Sequence, residues 1–175
     1  MANKELGYFS DFDKEISKDF TDPEYIYKFD KMKHVLSGKI YNRKFEIRTN
    51  PLGAPVAYVE IFKTDALNND AYMKEILGEY MSKYDLIENV HGGGTFYGEC
   101  FWDKDDKTIY IGWDYCHAYD YYPGGLPEHH FRKWAIIDIL GDVRIALNEI
   151  NKLNYKYRAF MINNRARNMD INEEL

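Results

Sequence analysis

The sequence predicts an α+β domain in which helices pack on one face of a mostly antiparallel sheet. Three observations lead to this prediction. The chain has 175 residues, of which 45% are hydrophobic, so we expect one domain with a substantial core over residues 1–175. Apolar residues recur at helical spacing in three segments. Pairs of β-rich segments are separated by short turn sequences, which favours hairpins.

The first predicted element is a helix at residues 23–36. Asp22 has the character of an N-cap, Pro23 suits the first helical position, and apolar residues then follow at helical spacing until Gly38. This pattern indicates a helix that packs one apolar side on the sheet.

Two strands and a second helix are predicted next. Residues 39–50 and 54–62 are rich in β-forming residues, and the turn sequence Asn-Pro-Leu-Gly separates them. Residues 70–83 place their apolar side chains on one helical face, and residues 85–90 predict a short strand that leads to His91. The first two strands therefore form a hairpin in this interpretation.

A second hairpin is predicted from residues 95–102 and 108–116, on either side of the loop 103–107. In that register paired residue numbers sum to 210, and Gly98 lies opposite Gly112. Cys100 and Cys116 are then too far apart for a disulfide, so free thiols are expected.

The last predicted element is a helix at residues 127–153. Its apolar residues are spaced four, three, four and three apart, which gives one continuous stripe: Ile136, Leu140, Val143, Leu147 and Ile150. A basic, aromatic C-terminal extension, residues 154–175, follows; a solvated tail or a contact in a homo-oligomer is its expected role, and the sequence requires neither.

The composition of the chain argues against two kinds of partner, nucleic acid and membrane. A net charge of -6 argues against nucleic acid as the main partner, because phosphate binding depends on clustered Lys and Arg. No apolar run reaches the length of a membrane span and the N-terminus does not resemble a signal peptide, so a cytoplasmic protein without a membrane contact is expected.

A polar constellation near the second hairpin carries the candidate chemistry. It consists of His91, Thr95, Asp114, His117 and Asp120. A divalent metal site would use the histidines and one or both aspartates, with zinc, manganese or iron as the metal. An acid/base site would pair a histidine with an aspartate that orients its ring. A structural role, in which these groups bond only the backbone, is the third interpretation.

A binding pocket is the fourth interpretation. The amides of Gly92, Gly93 and Gly94 would cradle an anion. Tyr97, Trp113 and Tyr119 are the candidate aromatic walls, although alternation along a strand prevents all three from lining one wall.

Other motifs are weaker. Adjacent strand residues point to opposite faces, which argues against Cys116 and His117 as a nucleophile and its base. His129 and His130 are expected at a solvated helix start. The chain has no Gly-x-Ser-x-Gly elbow, Walker loop or Gly-x-Gly-x-x-Gly unit, so conventional esterase, ATPase and dehydrogenase functions are excluded.

The segments NPLGAPVAYVEI, VHGGGTFYG and IYIGWDYCHAYD together resemble an uncharacterised family of small phage and prophage proteins. That family's pattern runs Gly-Tyr-Val, His-Gly-Gly-x-Thr-Tyr, and Gly-Phe-Asp-x-x-His-Ala-x-Asp. The resemblance covers about residues 51–120 and points to these positions: His91, Gly92, Gly93, Thr95, Gly112, Asp114, His117, Ala118 and Asp120. The chain departs from the pattern at Gly94, Phe96, Trp113 and Tyr119.

The resemblance implies a phage-encoded protein in the host cytoplasm that sequesters a small anionic or nucleotide-like defence signal. Two alternatives stay open. One is a metal-assisted or His/Asp-dependent hydrolase of a nucleotide, in which His91, Asp114, His117 and Asp120 would be catalytic. The other is an acidic inhibitor of a host protein, in which the constellation is only structural. The sequence does not decide whether the protein is an enzyme.

Overall fold

A computed structural model describes residues 18–78, 81–125 and 131–173. Five strands form one antiparallel sheet in the order β1-β2-β3-β5-β4. The strands are β1 (His34–Ile40), β2 (Arg43–Thr49), β3 (Pro55–Ile61), β4 (Phe96–Glu99) and β5 (Ile109–Asp114). The helices are α1 (Lys18–Thr21), α2 (Asp70–Leu77) and α3 (Ile136–Glu173). The α+β class and its antiparallel sheet are confirmed.

The main core lies between the sheet and α3. The predicted apolar stripe of α3 is buried along its whole length, against alternate residues of the central strands such as Val59 and Ile111. A smaller aromatic cluster covers the other face of the sheet, where Phe101 and Trp102 pack against Tyr58.

The predicted helix at residues 23–36 is wrong. Only a 3₁₀ turn forms, at Ile26–Lys28, and Met32 has a φ of 59°, outside helical backbone. The segment then enters β1, which pairs with β2 through a tight turn at Tyr41 and Asn42, both with positive φ. The turn divides the expected single strand over residues 39–50 into the end of β1 and the whole of β2. Tyr41 and Asn42 supply the positive φ that a two-residue hairpin turn needs at both central positions.

The predicted hairpins are confirmed, with one change of register. The turn between β2 and β3 is held by Asn50, whose side chain accepts hydrogen bonds from the amides of Leu52 and Ala54. In the β4–β5 hairpin, Gly98 lies opposite Tyr110, so the predicted register is wrong by two residues. Both cysteines are free, as expected.

Three other predicted boundaries differ. Helix α2 ends at Leu77, and the predicted strand at residues 85–90 is wrong, since Lys83–Leu86 form a 3₁₀ turn with a capping box from Ser82 and Asp85. Helix α3 begins at Ile136. In the stretch before it, the backbone of Arg132 forms an isolated parallel β-bridge with that of Asp120.

The backbone of α3 runs through the predicted C-terminal extension to Glu173, because no Gly or Pro interrupts it. His129 and His130 lie outside the described residues. No described helix combines the length and the apolar character needed to cross a membrane.

Candidate functional site

A buried carboxylate organises the candidate site. Asp120 is 2% exposed and accepts three hydrogen bonds, from Nε2 of His91 at 2.7 Å, the indole Nε1 of Trp134 at 2.8 Å and the backbone amide of His117 at 2.9 Å. As a carboxylate it only accepts, so Nε2 of His91 carries the shared proton. The bond therefore fixes both the orientation and the tautomer of the imidazole, as in other paired His and Asp side chains.

The chain brings these groups together from three separate segments. His91 lies in the loop before β4, and Asp120 lies in the loop after β5. The backbone of Tyr121 and Tyr119 is hydrogen bonded to Arg132, which places Trp134 beside Asp120 just before α3 begins. The site thus lies at one end of the sheet, where the loop before β4 and the loop after β5 meet the start of α3.

A second carboxylate holds the backbone of the His91 loop. Oδ2 of Asp142, on α3, accepts from the amide of His91 at 3.2 Å and from the hydroxyl of Tyr115 at 2.8 Å. Trp113 Nε1 in turn donates to the Tyr115 hydroxyl at 3.0 Å. Burial and the neighbouring charge of Asp142 raise the pKa of Tyr115 well above its usual value, so the hydroxyl stays protonated and remains a donor.

Aromatic rings enclose the imidazole of His91. Tyr115 stacks on it with a centroid distance of 5.2 Å and an interplanar angle of 5°, and Trp134 lies 4.3 Å from it at 51°. The guanidinium of Arg132 covers the Trp134 ring at 3.6 Å. The His91 side chain is nevertheless 26% exposed, so one part of its ring faces outward.

The glycine loop has a structural explanation. A β-carbon on Gly92, whose φ is 69°, would lie 1.9 Å from Nε2 of His117, and one on Gly94 would lie 2.3 Å from the carbonyl oxygen of Tyr84. The amides of Gly93 and Gly94 donate to the carbonyls of Val90 and Ile87. These two amides are therefore occupied within the loop, and the expected three-amide anion cradle is not formed.

A second, more exposed pair lies beside the first. Nε2 of His117 is 3.7 Å from Oδ1 of Asp114, and these side chains are 34% and 27% exposed. Asp114 also accepts from the hydroxyl of Thr95 at 3.1 Å and from the amide of Cys116 at 3.1 Å. The rings of His91 and His117 are 5.3 Å apart. The five polar residues predicted from the sequence thus converge at one end of the sheet.

The predicted aromatic walls do not surround this cluster. Trp113 is buried in the core, and Tyr97 bonds the Leu67 carbonyl and the Asn68 side chain elsewhere in the fold. Tyr119 is 77% exposed, with a φ of 75°.

Tyr115, Trp134 and Asp142 contact His91 or Asp120 instead, and none of the three was predicted from the sequence. Tyr115 was identifiable from strand alternation, since it shares the face of the core residue Trp113. The other two come from a distant segment and left no local signal.

Neither metal binding nor thiol chemistry fits the side chains. Among the described residues no group of three or more His, Cys, Asp or Glu side chains is arranged to hold a metal ion. Burial and the charge of Asp114 raise the pKa of the Cys116 thiol, which disfavours a thiolate. The two imidazoles are side chains that can form hydrogen bonds and exchange protons.

Comparisons with known proteins add no relative. No protein-family model matches the chain, and searches of curated proteins and of solved structures found no significant match.

Proposed function

We propose that this protein is a His/Asp-dependent hydrolase that acts on a nucleotide-like small molecule, with His91 as its general base. The observation that carries the proposal is the 2.7 Å contact between Nε2 of His91 and the buried carboxylate of Asp120. A carboxylate held by two further donors orients an imidazole and stabilises its protonated form, which is what a general base requires.

The position of the proton on the His91 ring assigns the roles of His91 and Asp120 in the proposed reaction. With Nε2 donating to Asp120, the lone pair of the His91 ring is on Nδ1. Nδ1 takes a proton from water while the water oxygen bonds to the carbon under attack, and the departing group receives a proton from solvent. Asp120 acts as a positioning residue, because it acts through His91.

Local charge selects the part of the substrate that reaches this site. Three aspartates, Asp114, Asp120 and Asp142, lie around two imidazoles, and this balance disfavours a phosphate group. Carboxylates instead accept hydrogen bonds from sugar hydroxyls and from the amino groups of a base. The proposal therefore favours the glycosidic bond of a nucleotide over its phosphoester bond.

Sequestration without turnover is the second candidate. It is supported by Nε2 of His117, a buried ring nitrogen without a hydrogen-bond partner among the described residues, although Gly92 lies against this atom and a ligand would reach it only after the glycine loop moves. The phage resemblance favours this function as well. The occupied amides of Gly93 and Gly94, the burial of Trp113 and the hydrogen bonds of Tyr97 to Leu67 and Asn68 argue against it.

Incubation of the purified protein with a panel of nucleotides and nucleosides, followed by mass spectrometry of products and of retained ligand, separates the candidates. A hydrolase releases free base in excess over protein. An intact nucleotide retained by the protein supports sequestration. If there is neither release nor retention, both candidates are contradicted and the acidic inhibitor is favoured.

The positioning role of Asp120 has its own test. We expect Asp120→Asn to lower kcat on the order of 100-fold with little change in KM, because proton transfer contributes factors of this size. Asp103→Asn makes the same chemical change in an exposed loop and should leave both constants unchanged. A rise in KM alone would contradict the assigned role.

A further inference from the structure

We infer that a groove between the β1–β2 turn and α3 binds a planar ligand that carries a phosphate, such as a nucleoside monophosphate. The groove, here called the α3 groove, has a volume of about 570 Å³, which is within the range of small-molecule sites. It is separate from the His91 cluster and shares no residue with it. The residues that carry the inference are Tyr41, Arg43, Asp65, Asn151, Tyr155 and Arg158.

The floor of the α3 groove is fixed by a buried ion pair. Arg43 donates to both carboxylate oxygens of Asp65, at 2.5 and 2.6 Å, and its guanidinium covers the ring of Phe62 at 4.1 Å. Asn154 of α3 donates to the same carboxylate and accepts from the amide of Ala66. Because these charges satisfy each other, the floor is neutral and preformed.

One wall of the groove comes from a single face of α3. Asn151, Tyr155 and Arg158 are spaced four and three residues apart, so they share that face. Arg158 is exposed and, within the part of the chain that the structure describes, forms no ion pair. A guanidinium that is not neutralised by a carboxylate binds phosphate oxygens in a bidentate manner.

Aromatic side chains stand beside this cation. Tyr155 is 76% exposed, and Tyr41 at the tip of the β1–β2 turn is 64% exposed. Tyr155, at the rim of the groove, provides a ring face on which a flat ligand can stack, with a hydroxyl for its polar edge.

The charge distribution favours an anion here and not at the His91 cluster. Residues 150–169 contain five basic residues and no acidic one, although the whole chain carries a net charge of -6. Lys152 and Lys156 line an adjoining hollow together with Asn151 and Tyr155 and add to the local positive potential. The acidic His91 cluster repels a phosphate, whereas the α3 groove attracts it.

Titration calorimetry with adenosine monophosphate, adenosine and inorganic phosphate tests this inference on the full chain. We expect the monophosphate to bind more tightly than either fragment, since it makes both the ring and the phosphate contacts. Arg158→Gln should weaken monophosphate binding about tenfold or more, as expected for a hydrogen bond to a charged group, and should leave adenosine binding nearly unchanged. Tyr155→Ala should weaken both nucleoside ligands, and Tyr155→Phe should retain most of the adenosine affinity.

Two control variants keep the site assignment independent of the proposed function. Lys104→Gln removes an exposed charge in the loop between β4 and β5, outside the groove residues, and should not change the dissociation constant. His91→Gln should retain groove binding, because the two sites share no residue, and amide chemical shifts should move around residues 151–158 in this variant as in wild type. Equal affinity of Arg158→Gln and wild type, loss of binding in His91→Gln, or no monophosphate binding at millimolar concentration would each overturn the inference.

Discussion

The contact between Gly92 and His117 makes a sharp prediction about stability. An alanine at a φ of 69° costs about 1–2 kcal/mol from backbone strain. Its β-carbon would also lie 1.9 Å from Nε2 of His117, so the ring must move, at a cost of about 1–3 kcal/mol. We therefore expect Gly92→Ala to lower the free energy of unfolding by about 2–5 kcal/mol.

A double-mutant cycle separates the two contributions. His117→Ala removes the clash, so the double variant should regain about 1–3 kcal/mol and retain only the backbone strain. Gly93→Ala is the matched control, because its φ is 77° but the nearest atom to its β-carbon is 3.9 Å away. Its cost should be the strain alone and should not change when His117 is replaced.

Urea unfolding of the four proteins of the cycle, which are wild type, the two single variants and the double variant, measures the strain and the clash when the curves are analysed with equal m values. A coupling free energy near zero between Gly92→Ala and His117→Ala would refute the reasoning. It would mean that the ring of His117 does not rest on the glycine loop.

Two further predictions concern the core and the opposite face of the sheet. Asp65→Ala should lower the free energy of unfolding in urea by about 3–5 kcal/mol, since it leaves buried Arg43 without its carboxylate. The double replacement Arg43→Met with Asp65→Leu should lower it by less, and a larger loss in the double variant would contradict this account. Burial raises the pKa of Tyr58 to about 12, so its contribution to stability is fully present below pH 10 and is lost as the pH rises from 10 to 12. Unfolding free energies across this range should fall less steeply in Tyr58→Phe, by about 1.4 kcal/mol per pH unit, and parallel slopes would show that the hydroxyl is not desolvated.

The elements that the sequence predicts well are those whose pattern has one physical interpretation. The four-three spacing from Ile136 to Ile150 is helical and is buried as one stripe. The turn sequence after Thr49 places β2 and β3 in a hairpin. The helix predicted before residue 36 failed because its apolar residues suit both a helix and a strand, and the sheet pairing of β1 with β2 decides between them.

The polar residues of the candidate site were predictable from the sequence. His91, His117 and Asp120 lie in loops at one end of the second hairpin, Asp114 ends β5 there, and the fold brings the four together. The aromatic half was not predictable, because Trp134 reaches Asp120 through an extended segment before α3 that has no sequence pattern.

The register of the second hairpin failed for a related reason. Phe101 and Trp102 match a strand by composition, yet they fold over Tyr58 and lengthen the loop. Packing of a distant ring therefore decided a local boundary.

The most direct test of the central proposal is the rate of base release from a nucleotide panel by wild type and by His91→Gln. His34→Gln is the matched control, since it makes the same change on an exposed residue of β1. We expect release by wild type and by the control, and a loss on the order of 100-fold or more in His91→Gln. Equal release by all three proteins would contradict the role of His91 as the general base.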